Sequence, residues 1–186
     1  MVAVKNKRRI CVIFVLLPCA LLFFLIVSAM LPDGATPEDA LRGYTARHAE
    51  NRGPGEIVRE ELHAPYEVLF YYDDQGLLSC AFLQRQLWGY NVAAIAPGIR
   101  PAVPHELKED EQSITLSECY LPEVRLRVTL GRVNSGLAET VTHGEQDMSI
   151  FSYRNCRILY DIGAETEAEP YRVYDAQGRL LDDLTV

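Results

Sequence analysis

The sequence predicts an α+β protein: an N-terminal transmembrane helix, then a helix plus antiparallel sheet, then a small all-β, sandwich-like region. Three observations predict it. Residues 10–31, ICVIFVLLPCALLFFLIVSAML, form one apolar run. Thr36-Pro37-Glu38-Asp39 reads as a helix start and is followed by strand–turn–strand patterning. Beyond residue 113, short apolar segments recur with turn residues between them.

The apolar run is broken only by Pro18 and Ser28. As a helix it spans about 33 Å, enough for a hydrocarbon core of about 30 Å. It has no polar stripe, as a soluble amphipathic helix would. Pro18 removes one backbone hydrogen bond, which a membrane span tolerates. Lys5, Lys7, Arg8 and Arg9 precede the run, and Asp33, Glu38 and Asp39 follow it. The positive-inside rule then leaves 1–9 as a cytoplasmic tail and exports everything after the 10–31 signal-anchor. The expected location is therefore the cell membrane, single-pass, with the C-terminal domain outside. The alternative is secretion after cleavage following Ala29, because Val27-Ser28-Ala29 presents small residues where signal peptidase reads. The length of the run favours the anchor.

The exported part holds all 26 acidic residues and 14 of the 18 basic ones, a formal charge of −12. Nucleic-acid binding needs a clustered basic face and is excluded as a reading. The same charge opposes adsorption of the domain to anionic lipid. The partners expected are the membrane through 10–31 and another envelope or membrane protein.

Residues 32–35 form a linker. Thr36 caps a helix, Pro37 suits its first position, and Ala40, Leu41, Tyr44 and His48 fall at helical spacing. Asn51-Arg52-Gly53-Pro54-Gly55 ends it. Strands are expected at 57–63, 67–72, 77–87 and 88–95. The second is apolar on both faces and therefore central. Asp73-Asp74-Gln75-Gly76 makes a hairpin turn. These elements form an α+β region, 36–96. The connection 97–113 carries three prolines and an acidic cluster, and reads as a link between domains. Seven short strands fill 114–186, the clearest at 124–130, where Val124, Leu126, Val128 and Leu130 point inward and Arg125, Arg127 and Thr129 outward. The segment 72–78, YDDQGLL, echoes 174–180, YDAQGRL, as two hairpins of one type and not as a duplicated domain.

Tyr171-Arg172-Val173-Tyr174-Asp175-Ala176-Gln177-Gly178 resembles the closing hairpin of bacterial immunoglobulin-like modules. More broadly the chain resembles uncharacterised single-pass extracytoplasmic proteins of Gram-positive bacteria. An anchor, the Thr-Pro-Glu-Asp helix start, Leu69-Phe70-Tyr71-Tyr72, Trp88-Gly89 and Gly131-Arg132-Val133-Asn134 come in that order. This resemblance implies an architecture and brings no activity.

No catalytic template is met, so the protein is read as not an enzyme, with no cofactor and no metal. His48, His63, His105 and His143 show no ligand spacing, and there is no HExxH. Neither 106–111 nor 165–169 has the alternating ligands of a calcium loop. Cys80, Cys119 and Cys156 lie beyond the span, and Cys119–Cys156 is the expected disulfide, against the reading that all three are buried apolar residues. Trp88 and Tyr90 are the candidate interaction surface, because exposed Trp and Tyr dominate binding hot spots. Two further readings stay open: a secreted or anchored hydrolase using Asp73 and Asp74 near Tyr72, and a small-molecule sensor domain acting through a membrane partner.

Overall fold

A computed structural model describes residues 18–22, 31–48, 53–164 and 169–185. The expected tail 1–9, the Val27-Ser28-Ala29 cleavage position and all of 10–31 except 18–22 and Leu31 lie outside these residues. Residues 18–22 are helical. Among the described residues no helix is long and apolar enough to cross a membrane. Asp33–Val186 is one compact unit and is described by itself.

The helix α1 spans Pro37–Arg47. The Thr36 hydroxyl accepts from the Asp39 N–H at 3.1 Å, Pro37 opens the first turn, and Glu38 and Asp39 sit at the positive end of the helix dipole. It ends three residues before the expected Glu50 limit, where the His48 N–H caps onto the Tyr44 carbonyl. Its buried stripe is Ala40, Leu41 and Thr45.

Sheet I comprises β1 (Pro54–His63), β2 (Tyr66–Asp73), β3 (Leu78–Gln86) and β4 (Gly89–Ile99), an antiparallel meander in that order. Sheet II is built from β5 (Ile114–Leu121), β6 (Leu126–Val133), β9 (Ser149–Tyr153) and β10 (Cys156–Gly163), in the order β5-β6-β10-β9. Sheet III takes β7 (Ala138–His143), β8 (Gln146–Asp147), β11 (Tyr171–Asp175) and β12 (Leu180–Leu184), in the order β12-β11-β7-β8. The expected strands of 114–186 are present, with the short β8 added.

The sheets stack in layers joined by three apolar clusters. Helix α1 covers one face of sheet I through Leu41, Leu69, Tyr71, Leu83 and Val92. The opposite face, Val68, Phe70, Cys80 and Phe82, packs on Val128, Leu130, Ile158 and Tyr160 of sheet II. The far face of sheet II, Ile114, Val133 and Leu159, packs on Val141, Tyr171 and Val173 of sheet III. Phe70 lies 4.7 Å from the Tyr160 ring and 5.5 Å from the Phe151 ring, so one aromatic side chain fastens sheet I to sheet II.

Three expectations differ from what the structure shows. The connection 97–113 does not divide two cores, because sheets I and II share one; β4 also runs on to Ile99. The strand expected at 124–130 begins at Leu126. Val124 lies in the preceding turn, still buried, and Arg125 takes a positive φ of 56°. Arg127 and Thr129 do not face solvent. Their side of β6 is covered by sheet III, and Thr129 is fully buried. Gly131, on the same side, leaves room for its two neighbours within sheet II, since a Cβ there would come within 2.6 Å of both Leu116 and Leu159.

Candidate interaction surface

The β3–β4 hairpin turns at Leu87 and Trp88, and both side chains project into solvent, 85% and 73% exposed. The register explains the projection: Gln86 pairs with Gly89, so β3 and β4 are zipped to the last residue before the turn. Gly89 has a φ of 157°, nearly extended. The predicted pair Trp88 and Tyr90 is divided by the fold. Tyr90 packs beside α1, and its phenol is raised by burial and then by its hydrogen bond to Glu67. Its backbone also binds the entering chain. Asp33 N–H donates to the Tyr90 carbonyl at 2.8 Å, and Tyr90 N–H to the Gly34 carbonyl at 2.9 Å. Asp33 is fixed again by the Val92 N–H on its carboxylate (2.8 Å) and by its own N–H on the Asn91 amide oxygen (3.0 Å). A Cβ on Gly34 would meet the Ala40 nitrogen at 2.2 Å, so only glycine lets this strap lie under the helix.

Tyr72, Asp73 and Asp74 line an open groove of about 600 Å³ together with Glu56, Arg154 and Cys156. One Asp73 oxygen accepts from the Gln75 and Leu77 N–H groups at 2.9 and 2.8 Å, which builds the turn. Glu56 accepts from the Tyr153 hydroxyl and pairs with Arg154 at 2.7 Å. The Tyr72 phenol is pushed up to about 12 by burial first, with the Cys156 and Tyr153 groups adding to it. At neutral pH it is an uncharged hydrogen-bonding group.

The four described cysteines, Cys19 among them, are free thiols. The expected Cys119–Cys156 bridge does not form. Cys119 is opposite Val128 and Val128 opposite Ile162, while Cys156 opens β10 at the other end. That separates the pair by about 20 Å along the strands, and a disulfide needs Cα atoms within about 7 Å. Cys119 faces Cys80 in the core between sheets I and II, and burial raises both thiols.

The histidines stay apart. His48 stacks on Tyr44, with ring centres 4.1 Å apart, and His105 pairs with Glu111 at 3.1 Å. Among the described residues no three His, Cys, Asp or Glu groups are placed to hold a metal.

One cluster escaped the sequence reading. Glu118, Thr129 and Asp161 are register partners across sheet II, and Tyr171 pairs with His143 across sheet III. Between the sheets, the Tyr171 hydroxyl bonds Glu118 and, at 3.2 Å, Thr129; its ring stacks on His143 at 4.5 Å. Arg127 lies 2.9 Å from His143 Nδ1, and the Asp161 carboxylate stands 3.4 Å from the same nitrogen. Asp161 stands 3.5 Å from Arg127. The buried Thr129, His143 and Tyr171 side chains thus find polar partners across the two sheets, which makes the cluster a sandwich tie.

Comparison of the chain with protein-family models, curated protein sequences and solved structures finds no match.

Proposed function

We propose that the chain is a membrane-anchored, extracytoplasmic, non-catalytic binding or envelope-assembly module whose β5–β12 part is an immunoglobulin-like sandwich. The observation that carries this reading is strand order. β5-β6-β10-β9 facing β12-β11-β7-β8 follows the immunoglobulin order A-B-E-D facing G-F-C, with one added strand beside C. The module departs from antibody domains in having no cysteine on β6 or β11 and no tryptophan on β7. Sheet I covers the outer face of sheet II, so the outer face of sheet III, with Thr140, Thr142, Arg172 and Tyr174, is the sandwich face left for a partner.

The anchor rests on the apolar run 10–31 and its basic flank. The hydrolase reading draws less support, because two of the groove's three carboxylates are engaged, Asp73 in its turn and Glu56 with Tyr153 and Arg154, and Asp74 is exposed. The test is crosslinking of the full-length chain in native membranes, with identification of the captured molecules and a topology reporter fused after Val186. Capture of an envelope protein and an external reporter support the module. Release of the mature chain into the medium with nothing captured overturns it.

A further inference from the structure

We propose that the pocket between the end of β6 and the connection 97–113 binds a small zwitterion, a free α-amino acid. Its carboxylate sits on Arg132 and its ammonium on the acids of the connection. The inference concerns the Asp33–Val186 unit alone and does not depend on the anchor. The pocket measures about 390 Å³ and is lined by Thr115, Arg132 and Asn134 from sheet II and its flank, and by His105, Asp110 and Glu111 from the connection. That volume lies at the small end of ligand pockets, which run from about 300 to 1,000 Å³.

The walls are tied down. Arg132 sits on β6 between its register partners Thr115 and Ile158. The His105 N–H donates to the Asn134 carbonyl at 2.8 Å, and the Gly136 N–H to the His105 carbonyl at 3.0 Å, which pins the connection to the end of β6. One Glu111 oxygen accepts from the Lys108 N–H and faces His105 Nε2, each at 3.1 Å. The Lys108 N–H, and after it His105, hold the Glu111 carboxyl below its usual range, so it is charged at neutral pH.

Two side chains point to a ligand. Arg132 donates from Nη1 to the Arg100 carbonyl at 2.9 Å. Its Nε is enclosed without a partner, and among the described residues no carboxylate pairs with its guanidinium. A partly enclosed cation without a counter-charge is costly, and a carboxylate on its remaining N–H groups offsets that cost. Asn134, only 8% exposed, gives its amide hydrogens to the Gln112 carbonyl at 3.0 Å and the Thr115 hydroxyl at 2.9 Å. Its amide oxygen is left as an acceptor. The lining thus carries one guanidinium against the two carboxylates of Asp110 and Glu111. These acids repel a polyanion such as phosphate, and Arg132 repels a simple cation. A molecule with one carboxylate and one ammonium satisfies both ends.

The experiment is a thermal-shift series on the purified full-length chain in detergent at neutral pH. The probes are the L-amino acids, their N-acetyl forms, their amides and inorganic phosphate, with titration calorimetry on those that raise the melting temperature. At least one amino acid is expected to do so. Its N-acetyl form, which lacks the ammonium, and its amide, which lacks the carboxylate, are expected to bind about tenfold more weakly or worse. Arg132→Gln and Asp110→Asn are each expected to weaken the amino acid by about tenfold. Asp110 is exposed on the connection, so its variant still reads the site if loss of Arg132 unfolds the chain. The proposal is overturned if no amino acid raises the melting temperature, or if phosphate or the N-acetyl form binds as tightly as the amino acid. Unchanged affinity in Asp110→Asn also overturns it, since the ligand then sits elsewhere. None of these results touches the anchored reading, which is tested by capture in membranes.

Discussion

Asp73 and Asp175 close two turns of the same construction at opposite ends of the layered unit. Each carboxylate accepts from the N–H groups two and four residues ahead, Gln75 and Leu77 at 2.9 and 2.8 Å, Gln177 and Arg179 at 2.9 Å each. Each turn then reaches a glycine in the left-handed region, Gly76 at φ 74° and Gly178 at φ 75°. The echo between 72–78 and 174–180 is thus one turn design used twice, in sheets I and III. Asp73→Ala is expected to cost about 1–2 kcal/mol, since two N–H groups lose their acceptor. Asp73→Asn, which keeps an acceptor oxygen, is expected to cost less. Urea unfolding of the three proteins checks the order.

Asp175 differs in having Arg179 on its second oxygen at 2.7 Å. The Arg179 N–H, and after it the Arg179 side chain and the Gln177 N–H, hold the carboxyl below its usual range. A depressed carboxyl stabilises fully above the unfolded aspartate value of about 3.9, and that contribution fades as pH falls through the lower folded value. Thermal melting of the wild type and Asp175→Asn is expected to show a constant gap near neutrality that narrows in acid. A gap that persists unchanged below the folded value contradicts the assignment.

Phe70 is the joint between sheets I and II. Removing its ring empties space beside Phe151 and Tyr160, and Phe70→Ala is expected to cost about 3–5 kcal/mol. The loss belongs to a shared core, so unfolding followed by far-ultraviolet and near-ultraviolet signals stays a single transition. Two separated transitions refute a common core.

Thiol labelling separates the cysteines by burial. Cys119 is half-buried and is expected to react slowly in the native protein, whereas Cys80, fully buried, reacts only on unfolding. Mass spectrometry after alkylation without reductant is expected to find neither Cys119 nor Cys156 in a bridge with the other.

Elements with local causes were legible in the sequence. The Thr36 cap, the β2 strand apolar on both faces and the Asp73–Gly76 turn depend on residues a few positions apart. What lay beyond it came from layering. Arg127 and Thr129 alternate with apolar residues as solvent-facing side chains do, and only the arrival of sheet III from residues 138–184 buries them. The Tyr171–His143–Arg127 cluster draws on five strands, and no spacing in the chain announces it. Trp88 and Tyr90 look alike in sequence, yet the Asp33–Gly34 strap commits Tyr90 and leaves Trp88 outside.

Sheet II is built in an order that synthesis does not follow. Its inner strand β6 borders β5, made just before it, and β10, made only after three further strands. Helix α1 and sheet I can close early, but β6 waits with an open edge until Cys156–Gly163 arrives and with a bare face until Tyr171–Asp175 does. A chain truncated before Tyr171 would therefore be recognised as incomplete by proteases, even with every residue of its helix and first sheet in place.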